Sequence, residues 1–263
     1  MGGRSRNSTA GRAKPIRIKK ATNATVEATA AIAAGLAERW PGVVVELDHQ
    51  NAYQLLVATM LAAQSTDKII NTLTPAVFAR YPDAASLAQA NQVELEQLVF
   101  KSGFYRQKSG ALIKTAQAIV QNFGGEVPAT MEGLVSLPGV ARKTANVVLG
   151  NALGLNIGIV VDTHITRLAP RLGLSNQTDP VKIENELMQL VPQAQWTAFG
   201  NHMIHHGRYL CRAKDPQCEQ CPIAPLCPSN GLGIRLKTKP KAAKPTTKPA
   251  KKPATMKKAK AKA

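Results

Sequence analysis

One stretch limits the possible fold more than any other: Leu137-Pro-Gly-Val-Ala-Arg-Lys-Thr-Ala-Asn146. Residues 131–137 carry an apolar run with helical spacing. Pro138-Gly139 forces a turn there, since proline lacks an amide hydrogen and glycine tolerates unusual backbone angles. A second helical pattern starts at Ala141 and carries Val147, Val148 and Leu149. Two short helices joined this way leave the first N–H groups of the second helix free to meet an anion outside. Arg142 and Lys143 stand at that mouth.

The remaining chain repeats the helical period. Apolar residues recur from Thr25 through Ile32, Leu36 and Trp40, where Pro41-Gly42 stops them. Asn51 is suited to cap a strongly apolar helix that ends near Gln64-Ser-Thr-Asp67. Further helices are expected over 69–80, 84–90, 92–101 and 105–122, and after the 131–153 hairpin over 163–172, 180–191 and 194–209. Only 43–47 and 157–161 look strand-like, each short and isolated. The expected fold class is all-α, without an internal repeat of fixed period.

The formal charge of +18 suggests nucleic acid until its distribution is read. Seven of the 34 Lys/Arg fall in residues 1–20 and twelve in 235–263, leaving 15 against all 16 Asp/Glu in residues 21–234. The body is thus nearly neutral, and the basicity belongs to two tails expected to be disordered, 1–20 and the Lys/Ala/Pro-rich 235–263. No signal-peptide core or membrane span is expected. The uncharged stretches 49–66 and 144–161 are interrupted by His49, Gln50 and Asn51, or by Gly150, Gly154 and Gly158. Met1-Gly2 is followed by Arg6 where myristoylation wants Ser or Thr. A soluble, intracellular protein is the expectation.

All four cysteines, Cys211, Cys218, Cys221 and Cys227, lie within 17 residues in a C-x6-C-x2-C-x5-C pattern, among Pro216, Pro222, Pro225 and Pro228. Thiols this close suit a metal or cluster. A [4Fe–4S] cluster takes four thiolates from one wrap; structural zinc and a pair of disulfides are the alternatives. Arg212 and Lys214, in the first loop, are candidates to touch phosphate.

Together, the hairpin with Val147-Val-Leu149, then Val161-Asp-Thr-His-Ile-Thr-Arg167, then His206-Gly-Arg208 leading into the cysteines, closely resemble the endonuclease III family of helix-hairpin-helix, iron–sulfur DNA glycosylases. Leu61-Ala-Ala-Gln-Ser-Thr-Asp67 and Gly103-Phe-Tyr-Arg106 match family segments in the same order. The resemblance covers about residues 25–230. It implies a body (21–234) of two helical lobes with a DNA cleft between them. One lobe is a helical barrel of about 45–155, and the other joins 21–44 to 156–234 and holds the cluster.

The same resemblance implies a bifunctional glycosylase/AP lyase for oxidised pyrimidines in base excision repair. It would act as a monomer on damaged double-stranded DNA, in the cytoplasm at the nucleoid. Lys143 would be the nucleophile. A free lysine is almost wholly protonated at neutral pH, with a reference pKa of about 10.4, so Arg142 and the helix N-terminus are expected to favour its neutral form. Asp162 would stabilise charge developing on the sugar, and also suits the N-cap of the next helix. The resemblance pairs His164 with Asp67, and makes Gln64 and Phe104 the side chains that fill the hole left by a flipped base. Gly139, Ala141 and Arg142 would hold the DNA backbone. The hairpin departs from the family's Gly-Val-Gly at Ala141. Two other readings are weighed. The adenine glycosylase of mispairs is disfavoured by Lys143, and a non-catalytic DNA-binding protein by Lys143 and Asp162 together.

Overall fold

The structure, a computed structural model, describes residues 25–230; the two basic tails expected at 1–20 and 235–263 lie outside the described residues. Eleven α-helices follow one another among the described residues. They are α1 (Val26–Arg39), α2 (Ala52–Leu61), α3 (Asp67–Arg80), α4 (Ala84–Ala88), α5 (Gln92–Val99) and α6 (Tyr105–Phe123). After these come α7 (Met131–Val135), α8 (Arg142–Asn151), α9 (Thr163–Arg171), α10 (Pro180–Leu190) and α11 (Trp196–Tyr209).

Local chemistry explains most of the boundaries. Eight helices open on a Thr, Asn or Asp whose side chain accepts a first-turn N–H: Thr25, Asn51, Thr66, Asp83, Asn91, Thr130, Asp162 and Asp179. The exceptions are α6, α8 and α11, which start after Phe104, Ala141 and Gln195 without a side-chain cap. Two of these three bear on function below.

The buried apolar residues form two clusters. The first gathers α2 to α8, with Leu55, Leu61, Ile70, Leu95, Leu112 and Leu149 fully enclosed. The second gathers α1 and α9 to α11 around Leu36, Ile165, Leu168, Ile183, Leu187 and Met203, and takes Ile223 from the cysteine loop.

The strand-like expectation for 43–47 and 157–161 is corrected: no described residue is in a strand. A strand needs a neighbour to accept its backbone hydrogen bonds, and among the described residues neither segment has one. In 157–161 the two-residue period serves another purpose. Ile159 and Val161 enter the second cluster while Val160 between them enters the first, so the alternation bridges two cores.

Candidate active site

The hairpin is fixed from two sides. Between α7 and α8, Leu137 and Val140 are buried, and Gly139 turns the chain at φ 77°, a left-handed angle that glycine adopts without strain. Thr115 of α6 donates to the carbonyl of Pro138 at 2.5 Å, holding the turn against the first cluster. On the other side Arg142 makes a two-pronged ion pair with the buried Glu184 of α10, at 2.8 and 3.0 Å. Asn146 donates to the same carboxylate at 2.8 Å. The hydrogen bond from Arg142 to Glu184 raises the guanidinium's pKa above its ordinary range, against the opposing effect of burial. Arg142 was expected to bear on Lys143 and DNA; the structure commits its charge to Glu184, 42 residues away.

Ala141 has φ −92° and ψ 164°, an extended conformation open to any residue. The departure from glycine therefore costs nothing in backbone strain. Since alanine offers no acceptor, the opening N–H groups of α8 receive no hydrogen bond from their cap side chain.

Lys143, in the first turn of α8, is exposed and lines a cleft of about 500 Å³, within the range of small-molecule sites. Asp162, the N-cap of α9, lines the same cleft. It accepts from His164 N at 2.8 Å and Ile165 N at 2.9 Å, both through Oδ1, so capping does not occupy Oδ2. Gln64, just past the end of α2, is on the cleft wall too.

Gln64 and Phe104 share an unusual trait. They are the non-glycine residues with positive φ among the described residues, at 57° and 50°. Such angles are rare outside Gly, Asn and Asp, and cluster where function demands them. Both side chains are solvent-exposed, Phe104 at 58%.

The expected pairing of His164 with Asp67 is not found. His164 Nδ1 accepts from Arg167 at 3.2 Å and packs where Gly207 gives it room, since a Cβ there would lie 2.8 Å from His164. Asp67 instead pairs with Arg208 of α11 at 2.6 Å, and Arg208 also reaches Glu46 at 2.7 Å. Burial works against charge on Arg208, but Asp67 and Glu46 outweigh it and raise its pKa. This clasp joins α3, the 43–47 segment and α11 along one wall of the cleft. The His206-Gly-Arg208 motif contained it without revealing the partners.

The four cysteines line one pocket with His206 and Leu172, and all four are free thiols, so the disulfide alternative is not what the structure contains. Cys211 Sγ accepts from the buried Arg171 at 3.3 Å. Burial, then the neighbouring thiols, push Cys221 up to about 11. Among the described residues no three such side chains converge as ligands of a single ion. Arg212 and Lys214 are exposed on the loop after Cys211, Arg212 paired with Asp215 at 3.2 Å.

Residues 57–193 match the model of the HhH-GPD superfamily base excision DNA repair protein. Endonuclease III of Synechocystis sp. is 51% identical over 194 residues, 74% of this chain and 89% of that protein. The chain belongs to the endonuclease III family. Endonuclease III of Bacillus subtilis is 39% identical over 193 residues, covering 73% of this chain and 88% of its own length. Among solved structures, a non-covalent endonuclease III–DNA complex superposes with a TM-score of 0.75 at 36% identity, covering 79% of this chain and 97% of that one. A trapped covalent endonuclease III–DNA intermediate superposes equally well, at 36% identity, with 79% and 98% covered. The all-α helix-hairpin-helix fold is therefore that of endonuclease III, and the chain is a base excision repair DNA glycosylase with AP lyase activity. Members of this family carry a [4Fe–4S] cluster. No described helix is long and apolar enough to cross a membrane.

Proposed function

We propose that this chain binds damaged double-stranded DNA as a monomer in the cytoplasm, at the nucleoid, and removes oxidised pyrimidines through Lys143 and Asp162. The observation carrying this reading is that an exposed lysine at the mouth of an uncapped helix and a carboxylate with a spare oxygen line one cleft. The neutral amine of Lys143 attacks C1′ of the flipped nucleotide, and the base departs with the glycosidic electron pair. The adduct loses a proton and opens the sugar to a Schiff base. Removal of a C2′ proton then expels the 3′ phosphate by β-elimination. Asp162 Oδ2 faces positive charge developing on the sugar and serves the proton transfers.

The opening N–H groups of α8, with Gly139 and Ala141 at the turn, grip backbone phosphate, and Arg212 and Lys214 add exposed charge. Arg142 contributes there only with the part of its guanidinium that Glu184 leaves open. Gln64 and Phe104 enter the stack when the base leaves it; their positive φ and exposure support this use. Cys211, Cys218, Cys221 and Cys227 fit one [4Fe–4S] cluster: four soft sulfurs from one short wrap of chain line a shared pocket. When bound, it supplies iron–thiolate bonds that tie the 211–227 loop to the second core.

Borohydride reduction on a lesion-bearing duplex tests the assignment. Wild type should become covalently linked to DNA, and Lys143→Ala should not. Equal trapping by the two proteins would end the role given to Lys143.

A further inference from the structure

Among the described residues, Lys108 is a buried lysine without a carboxylate partner. It lies in the second turn of α6, is 9% exposed, and donates from Nζ to two backbone carbonyls, Leu61 O and Ser102 O, each at 2.7 Å. Burial favours its neutral form, and a neutral amine still carries two N–H donors, enough for both bonds. The two carbonyls belong to segments 41 positions apart in sequence, yet each directly precedes a break in the backbone. Leu61 ends α2, three residues before Gln64 turns to φ 57°. Ser102 ends a 3-10 turn, two residues before Phe104 turns to φ 50°. The backbone N–H of Lys108 also donates to Phe104 O at 3.0 Å.

One side chain thus fastens the roots of both left-handed loops, at the last points where either chain is still regular. Short hydrogen bonds in a site closed to water hold their geometry more firmly than exposed ones, and loops built on fixed roots need less ordering when a partner arrives.

We propose that Lys108 is a positioning residue that locks the Gln64 and Phe104 loops into one rigid probe, so that the two side chains enter the DNA stack as a unit. The proposal rests on reading these two residues as the fillers of the flipped-base hole. Lys108 touches no DNA; it sets the separation of the two tips before binding. The cost of forcing a non-glycine backbone to positive φ twice is then met in the free protein rather than at each encounter with a lesion.

The test uses the full chain with Lys108→Met, which keeps the stem and removes both bonds. A duplex with 2-aminopurine beside the lesion reports unstacking. A single-stranded abasic oligonucleotide, which has no stack to enter, reports the chemistry alone. Lys108→Met should lower kcat/KM and the fluorescence amplitude on the duplex on the order of tenfold, the scale of a small misplacement remote from the chemistry. Borohydride trapping on the single strand should stay within about twofold. In the Lys108→Met background, Phe104→Ala should cost much less than in wild type, since interacting residues do not act additively. Lys108→Arg, which keeps N–H donors on a long side chain, should recover part of the duplex rate. If Lys108→Met does not fold, Lys108→Gln replaces it in the same cycle.

Equal losses on duplex and single strand would overturn the proposal, because a general structural role predicts them. If Gln64→Ala and Phe104→Ala both react at the wild-type rate, the hole-filling reading falls and this proposal with it. If those variants are slow but their costs simply multiply with that of Lys108→Met, the hole-filling reading stands and only Lys108 loses its role.

Discussion

Two of the helices that open onto the cleft, α8 and α9, begin in opposite ways. α9 brings its own anion: Asp162 accepts two of its first N–H groups through Oδ1. α8 starts at Ala141, which offers nothing to the first turn. Their neighbours differ in the same sense. The start of α8 is braced by the Arg142–Glu184 pair, and Lys143 is the exposed, charged side chain it presents to the cleft, beside Thr144 and Val147. The difference suggests a division of labour within one cleft. Under the proposed function, the start of α9 is complete in itself and contributes a carboxylate to chemistry, while the start of α8 stays open for a phosphate to complete.

The largest break in this picture is Lys143→Ala. It should cost about a thousandfold or more in lyase rate, the scale seen when a covalent nucleophile is removed. An exposed side chain contributes little to folding, so thermal stability should move by no more than about 0.5 kcal/mol. A variant that loses activity together with its melting transition would assign Lys143 a structural role.

Asp162→Asn separates the two uses of the other helix start. Asparagine caps as well as aspartate, so folding should be nearly unchanged while the rate falls by about a hundredfold to ten-thousandfold. Asp162→Ala should lose the same activity and about 1 kcal/mol of stability besides. Equal melting of the two variants would show that the cap contributes nothing.

Arg142→Ala should act mainly on stability. It strands a buried Glu184 with Asn146 as its remaining donor, and uncompensated charges of that kind cost about 3–5 kcal/mol when fully buried. Arg142 is partly exposed, so about 2–3 kcal/mol is expected by denaturant titration. A large drop in DNA affinity at unchanged stability would reverse this ranking and make Arg142 chiefly a phosphate ligand.

What could be read from the sequence follows the range of the forces involved. Caps and turns are short-range chemistry: Asn51 and Asp162 as N-caps, Pro41-Gly42 as a stop and the turn at Gly139 all appear where their side chains dictate. Strand formation at 43–47 and 157–161 depended on partners far along the chain, which local alternation does not report. The Arg208 clasp to Glu46 and Asp67 spans over 140 residues, and resemblance supplied His164 in its place. Lys108 was invisible for a related reason. A lysine in a helical pattern reads as solvent-facing, and its burial depends on the carbonyl of Leu61, 47 residues away, arriving beside that of nearby Ser102. Positive φ at Gln64 and Phe104 carried no signal either, because neither residue favours it.

The finest distinction concerns Ala141, and two substitutions bracket it. Ala141→Gly restores the glycine expected from the family, yet φ is −92° and no strain is relieved. DNA affinity should change by less than about twofold, and stability by only a few tenths of a kcal/mol. Ala141→Asp does something else: it gives α8 the finish that α9 has. The new carboxylate should cap the first turn and stabilise the protein by about 0.5–2 kcal/mol. It should also weaken DNA binding, because the helix start is then filled and a negative charge faces the phosphate. Fluorescence anisotropy at several salt concentrations, beside thermal melts, measures both. A variant more stable and weaker in binding would show that the incomplete helix start is kept for DNA. Tighter binding by Ala141→Asp would mean that the N–H groups of α8 are not where the backbone is held.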